Sequence, residues 1–254
     1  MAGMRPVAQG VKRQLTAPSS WMLVGVFALL SGGAFVASLN AFLDQSSQAL
    51  SIPPLQPVNL NQLLIRPYLM QVGLAALLVL PLLTARAHTQ VLDTDGFESP
   101  SLSASASGSR VLATFAGVIA VYKLMLLTSA VLVGLLFLYG TPEFWTTLCG
   151  YLGLLLTGAA FIAVALLISS LATSALAAGI ATFAISFALA TTTWLSWWGA
   201  PGVRRVLSPV SVGGGLNDFA KGVVDSGYVV SCLTIIALGL FLTRCALEPA
   251  RSER

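Results

Sequence analysis

The stretch Gly73-Leu74-Ala75-Ala76-Leu77-Leu78-Val79-Leu80 decides the fold class of this chain. It is continuously apolar, without the alternation of apolar and polar residues that a membrane β-strand requires. A helix satisfies each backbone N–H and C=O group within itself, which lipid demands of a spanning segment. The stretch therefore predicts a transmembrane helix.

The same pattern recurs along the 254 residues, which are 56% hydrophobic and only 9% charged. Soluble domains carry about 25% charged residues, and a spanning helix needs roughly 20 apolar ones. The predicted spans are 22–43, 67–85, 111–138, 148–171, 174–196 and 227–243. We predict an all-α membrane protein, with residues 1–254 forming one domain of six transmembrane helices. A turn near Ala172-Thr173-Ser174 is short enough to make spans four and five an antiparallel hairpin.

Basic residues predict the orientation, because cytoplasmic segments carry an excess of Lys and Arg. With both termini inside, eight basic residues are cytoplasmic: Arg5, Lys12, Arg13, Arg86, Arg110, Arg244, Arg251 and Arg254. Four are then external: Arg66, Arg204, Arg205 and Lys221. Aromatic residues suited to the outer interface include Tyr139, Trp145, Trp194 and Tyr228. The N-terminus and the C-terminus are therefore both expected inside.

Two short segments are predicted at the membrane surface. Residues 1–20 are either an amphipathic interfacial helix on the inner leaflet or a disordered basic anchor. Residues 216–225 are predicted to form an outer amphipathic helix before the last span. The residues chosen to represent that helix are Phe219, Gly222 and Asp225.

The sequence offers no catalytic or cofactor-binding pattern. The glycines 213–215 lack the Lys and Ser/Thr spacing of a nucleotide loop. His88 is the only histidine, and Cys149, Cys232 and Cys245 are dispersed without metal-ligand spacing. No basic patch is interleaved with aromatic residues, so nucleic acid is not an expected partner. We therefore predict a non-enzymatic chain that binds no cofactor and no metal itself.

Lys123 is the one charge inside a predicted span. A charge at membrane depth is costly and marks a functional site by default, here a pathway-facing or interhelical contact. The alternative is that the third span begins near Tyr122, so that Lys123 snorkels to the inner interface. The sequence leaves both open.

Small residues in spans four and five predict close helix approach. They are Gly150, Gly153, Gly158, Ala175 and Gly179. They serve packing within the subunit or, alternatively, a subunit interface.

Several segments resemble the permease subunits of type-2 ABC exporters, in the branch of the gliding-motility and copper-maturation permeases. The residues that carry the resemblance are Tyr139-Gly140-Thr141-Pro142, Gly150 through Phe161, Ile168-Ser169-Ser170-Leu171, Asp218 through Asp225, and Pro81 through Arg86. The resemblance implies a multi-pass permease of the bacterial inner membrane that pairs with a second permease subunit. It also implies a separate ATP-binding cassette ATPase as partner, which would bind ATP and Mg.

The resemblance further implies that the cytoplasmic loop after the second span couples to the ATPase. The residues assigned to that role are Gln90, Asp93, Asp95, Gly96 and Glu98. The alternative is that the acidic residues among them belong to a solvated loop without a partner. Gly96 and Glu98 match the family pattern, whereas its paired arginines and most of its leucines are missing and Pro100 interrupts a helix. The subunit therefore binds a divergent motor, is the less active member of a heterodimer, or is a non-translocating scaffold with a permease-like fold. The Ser/Ala tract at 101–109 is either flexible linker or helix.

Overall fold

A computed structural model describes residues 4–51, 59–95, 105–140, 142–172, 174–198 and 212–247. Within these ranges the chain is helical and contains no strand, so the predicted all-α class is confirmed. The helices are α1 (Met4–Thr16), α2 (Pro18–Ser51), α3 (Arg66–Asp95), α4 (Ser105–Tyr139), α5 (Phe144–Leu171), α6 (Ala175–Trp198), α7 (Val212–Phe219) and α8 (Ser226–Leu247). A π-helical turn, Asn61–Ile65, leads into α3.

Five helices of the described chain are long and apolar enough to cross a membrane: α2, α3 with its π turn, α4, α5 and α8. They coincide with the first four predicted spans and the sixth. The predicted fifth span coincides with α6, in which Leu176–Ile185 forms a shorter apolar helical stretch. The chain is therefore a multi-pass membrane protein, and the sixth crossing stays a prediction.

Helices α3 and α4 run well beyond the predicted spans at the end where they are connected. α3 continues ten residues past Ala85, and α4 begins at Ser105 within the Ser/Ala tract, which is helical from that point. At a rise of about 1.5 Å per residue, helices of this length exceed the roughly 30 Å of hydrocarbon. Both helices therefore extend outside the apolar layer, and the connection between them is shorter than the predicted loop 86–110.

The N-terminal segment forms helix α1, so the alternative of a disordered anchor is wrong for residues 4–16. α1 lies along the first turns of α4, where Gly10 contacts Ala113 and Gln14 contacts Gly117. The indole N–H of Trp21 donates to the Leu15 carbonyl at 2.8 Å, which links the start of α2 to the end of α1. α1 is therefore held by the bundle itself.

The predicted outer helix over residues 216–225 is wrong in extent, because α7 covers Val212–Phe219 and the chain then turns. The N–H of Gly222 donates to the Phe219 carbonyl, and the N–H of Val223 donates to the Asp218 carbonyl. This bond pair is a Schellman motif, which places Gly222 in the left-handed region at φ 83°. Gly222 is therefore the stop signal of α7.

Asp225, also assigned to that helix, instead starts the next one. Its side-chain Oδ1 accepts the backbone N–H of Gly227 at 2.9 Å, and its carbonyl accepts the N–H of Val229. Asp is a preferred N-cap because its carboxylate satisfies an N–H that has no partner within the helix. The prediction was wrong because the amphipathic spacing runs across the end of α7 at Gly222 and the start of α8 at Asp225.

The two helices of the predicted hairpin, α5 and α6, are in contact, while the membrane crossing by α6 stays a prediction. α5 ends at Leu171, where extended Ala172 breaks the helix, and α6 begins at Ala175 and packs against α5. Antiparallel neighbours follow from so short a connection.

Helix α5 is the centre of the bundle and contacts α3, α4, α6, α7 and α8. Three glycines of α5 lie where large side chains of α3, α7 and α4 come closest to its backbone. A Cβ atom would lie 2.4 Å from Leu69 Cδ1 at Gly150, 2.7 Å from Phe219 Cβ at Gly153 and 2.2 Å from Tyr122 Cε1 at Gly158. Each glycine therefore admits a neighbour that alanine would displace.

We expect Gly158→Ala to lower the thermal unfolding temperature of the detergent-solubilised protein. The added methyl group meets a tyrosine ring that a hydrogen bond holds in place, and such overpacking costs about 1–3 kcal/mol. Gly134→Ala is the matched control, since no atom lies within 4 Å of its Cβ position. That control should be neutral or stabilising, because glycine weakens a helix by roughly 0.5–1 kcal/mol relative to alanine. Equal unfolding temperatures for the two variants would contradict the packing described.

Candidate functional site

A chain of buried hydroxyl groups joins α3, α4 and α5. The Tyr68 hydroxyl donates to the backbone carbonyl of Ser129 at 3.2 Å. The Ser129 hydroxyl donates to the Leu126 carbonyl at 3.0 Å, so its contact of 3.1 Å with Tyr151 Oη uses the tyrosine proton. Three helices are therefore linked by polar bonds inside an apolar core.

Two more tyrosines extend the polar contacts along α5. The Tyr122 hydroxyl donates to the Leu154 carbonyl at 2.8 Å. The Tyr228 hydroxyl pairs with Thr157 Oγ1, whose own proton goes to the Gly153 carbonyl. Because a hydroxyl has a single proton, Tyr228 is the donor in that pair. α5 thus receives hydrogen bonds from α4 and from α8, which fix how these helices are rotated against it.

The position of Tyr228 corrects its assignment to the outer interface. Its side chain is only 5% exposed, and its ring packs over Gly215 and beside the Phe219 ring at a centroid distance of 5.6 Å. The local sequence suggested an interface position because Tyr228 lies near the start of a span. Tyr139 and Trp145 do extend outward, at 90% and 74% exposure.

Lys123 lies near the middle of α4, with its side chain exposed on the outside of the helix bundle. Its neighbour Tyr122 reaches Leu154 and Gly158, which are central in α5. Lys123 is therefore level with the middle of a spanning helix. Within the described part of the chain no acidic side chain forms an ion pair with it.

The other small residues selected from the sequence lie at the hairpin. A Cβ atom on Gly179 would be 3.4 Å from Leu82 Cδ2, so α6 approaches α3 at ordinary contact distance there. Ala175 is the first residue of α6. Gly179 and the glycines of α5 therefore contact other helices of the same chain.

The end of the bundle that contains α7 is tied by polar bonds. Arg66 Nε donates to Asn217 Oδ1 at 2.8 Å, which connects the start of α3 to α7. The Glu143 N–H donates to Asn61 Oδ1 at 3.2 Å, which connects the π turn to the start of α5. Asn61 is buried, and its Nδ2 has no partner among the described residues. These bonds hold the connecting segments onto the bundle.

The predicted coupling residues are divided between described and undescribed parts. Gln90, Asp93 and Asp95 lie on the last turns of α3. Gly96 and Glu98 lie outside the described residues, as does Pro100. The described coupling residues therefore belong to one continuous helix with a membrane span.

Metal binding and nucleophilic chemistry each require a particular grouping of side chains. They contain no group of three or more His, Cys, Asp or Glu residues that could hold a metal. Cys149, Cys232 and Cys245 are free thiols. The buried hydroxyls bond to one another and to carbonyls, without a carboxylate or imidazole partner in those bonds to activate them as nucleophiles.

Sequence reasoning missed the buried tyrosines as a group, although a signal was present. Tyr68, Tyr122 and Tyr151 each interrupt an apolar run, and a phenol buried in such a run needs a hydrogen-bond partner. The partners are carbonyls and hydroxyls on other helices, so no spacing along the chain reveals them.

No protein-family model matches the chain, and neither a curated protein nor a solved structure matches it.

We expect Ser129→Ala and Tyr151→Phe to be coupled in a double-mutant cycle on the free energy of unfolding. Each change removes the same hydroxyl contact, so the double variant should lose less than the sum of the single losses. The coupling should be about 0.6 kcal/mol and below about 2 kcal/mol, as for other hydrogen bonds inside membranes. Tyr122→Phe is the control partner for Ser129→Ala, because the Tyr122 hydroxyl bonds to the Leu154 carbonyl and not to Ser129. A coupling with Tyr151 no larger than that with Tyr122 would contradict the assigned contact.

Proposed function

We propose that this chain is the transmembrane permease subunit of an ATP-binding cassette exporter in the bacterial cytoplasmic membrane. It crosses the membrane six times with both termini inside, and it pairs with a second permease subunit. A separate ATPase subunit supplies the motor and binds ATP and Mg. The resemblance to type-2 exporter permeases motivates this assignment.

The observation that carries the proposal is the position of Lys123. Its exposed side chain is level with the middle of α5, where an ammonium group facing lipid is costly. Polar surroundings outside the subunit remove that cost. A second permease subunit across a hydrated pathway supplies such surroundings, and it explains why the charge is on the outer surface of the bundle.

The continuity of α3 supports a coupling role for its end. Gln90, Asp93 and Asp95 lie on the same helix as the second span, so force on this segment is transmitted to the span. Pro81 lies within the second span and removes one backbone hydrogen bond, which favours bending there. An ATPase docked on the end of α3 would therefore move the membrane part about a defined joint.

Movement of α3 would reach the rest of the bundle through α5. Leu69 fits against Gly150, and the Cβ position of Gly73 lies beside Leu216 and Leu154. These contacts involve α3, α5 and α7, and α5 in turn contacts α8 across Ala163 and Gly239. Tight packing of this kind transmits rigid-body displacement between two states.

The basic residues agree with the proposed orientation. Lys12 and Arg13 on α1, Arg86 on α3, Arg110 on α4 and Arg244 on α8 lie toward the end of the bundle opposite α7. Helix α1 and the C-terminal end of α8 lie at that end of the bundle. An excess of positive charge favours the cytoplasmic side.

The first experiment purifies the full-length chain in mild detergent and identifies the proteins that co-purify with it. We expect a nucleotide-binding ATPase whose hydrolysis rate rises when the chain is bound. A purified complex that contains no ATPase would contradict the proposed permease function. The variant Glu98→Lys should weaken the complex because it reverses a charge in the coupling segment, whereas Glu143→Lys at the α7 end should leave the complex intact.

We expect Lys123→Leu to reduce transport-coupled ATPase activity by about fivefold or more, the lower range of coupling between distant sites. The ATPase should still co-purify, because Lys123 lies far from the end of α3. Lys123→Arg should retain activity, since it preserves the charge. Leu127→Met, one turn along the same exposed face, is the control for a change at this surface. Unaltered coupling and assembly in Lys123→Leu would remove Lys123 from the pathway.

A non-translocating scaffold is the second candidate, favoured by the missing arginines and leucines after the second span. In that case the chain would recruit other membrane proteins without stimulating an ATPase. The same purification separates the two candidates, because only a permease is expected to raise the rate of ATP hydrolysis.

A further inference from the structure

A groove of about 500 Å³ opens at the end of the bundle opposite α7, between α1, α4 and α8. Its lining is apolar apart from Ser109 and Arg244. The apolar residues of the lining include Val7, Leu112, Leu240 and Phe241. The Cδ, Nε and Cζ atoms of Arg244 lie 3.5, 3.6 and 3.7 Å from the Cβ position of Gly108, so the guanidinium lines the groove beside Gly108.

The depth of the groove follows from the register of α4. Leu112 precedes Lys123 by eleven residues on one helix, which is roughly 16 Å at the helical rise. Half of the hydrocarbon layer is about 15 Å. With Lys123 near the mid-depth of the spans, Leu112 is at the boundary of the hydrocarbon, and Gly108 and Arg244 are at the level of the lipid headgroups.

We propose that this groove binds an anionic phospholipid. One acyl chain lies against Leu112, Leu240 and Phe241, and the phosphate lies at Arg244. Leu112 and Phe241 are 51% and 64% exposed, so the apolar wall is accessible from the surrounding membrane. A guanidinium has five N–H donors, so a contact within the chain does not exhaust its capacity for a phosphate.

Charge complementarity selects an anionic lipid over a zwitterionic one. Lys12 and Arg13 on α1 and Arg110 on α4 belong to the same elements as the groove and add positive potential at this end. Basic pockets between membrane helices favour anionic headgroups, and each Lys or Arg near the surface contributes about fivefold in affinity. The proposal depends on the membrane location and the register of α4, not on transport.

The test measures lipid retained by the purified full-length protein with native mass spectrometry, and its thermal unfolding temperature with added lipid. We expect wild-type protein to retain phosphatidylglycerol in preference to phosphatidylcholine, and to be stabilised by it. Arg244→Gln should weaken phosphatidylglycerol retention by about fivefold. Arg86→Gln, the same charge change on α3 at the same end, should weaken it less, because α3 does not line the groove.

A second variant tests the acyl-chain wall independently of the charge. Leu112→Trp should fill the groove and reduce retention of phosphatidylglycerol, whereas Leu127→Trp, on an exposed part of the same helix, should not. If Arg244→Gln fails to fold, the comparison of Leu112→Trp with Leu127→Trp still tests the proposed lipid groove. Equal retention of both lipids by the wild type, or unaltered retention in Leu112→Trp, would overturn the proposal. Stabilisation by inorganic phosphate equal to that by phosphatidylglycerol would also overturn it, since it would indicate an anion site without an acyl-chain groove.

Discussion

Close approach of helices to α5 is the constraint on which the rest of this bundle depends. In lipid the apolar surface of a helix gains little by leaving its solvent, so association depends on van der Waals contact and a few hydrogen bonds. Gly150, Gly153 and Gly158 provide that contact by admitting Leu69, Phe219 and Tyr122 against the backbone of α5. The hydroxyls of Tyr122 and Tyr228 then bond to α5 at the same places. Packing and polar contacts therefore converge on one helix.

This arrangement leaves α2 and much of α8 with large apolar surfaces outside the core, including Val26, Leu29, Leu233 and Phe241. Such exposure is ordinary for a chain solvated by lipid. Lys123 is different, because it is a charge on that same outer surface near mid-depth. The two proposals concern charges at different depths. The charge of Lys123, at mid-depth, requires a polar partner outside the bundle, whereas the charge of Arg244, at headgroup depth, can pair with a lipid phosphate.

The continuity of the longest helices connects fold with the proposed function. α3 and α4 pass out of the hydrocarbon as unbroken helices, so the segment with Gln90, Asp93 and Asp95 continues a spanning helix in which Pro81 is the point that favours bending. α1 packs against the first turns of α4, at the end of the bundle where α3 and α4 extend beyond the hydrocarbon. A motor bound there would act on the spans directly, through Leu69, Gly73 and their contacts with α5 and α7.

The helical class and the positions of five spans could be predicted from the residues alone, because these follow from local hydropathy and from backbone hydrogen bonding within one segment. Prediction failed at Gly222 and Asp225, where one amphipathic spacing runs across the end of α7 and the start of α8. The burial of Tyr228, the chain of hydrogen bonds through Tyr68, Ser129 and Tyr151, and the level of Lys123 beside the middle of α5 became visible in the folded bundle. Depth, burial and hydrogen-bond partners depend on the register between helices, and that register is set by contacts between side chains far apart in the chain.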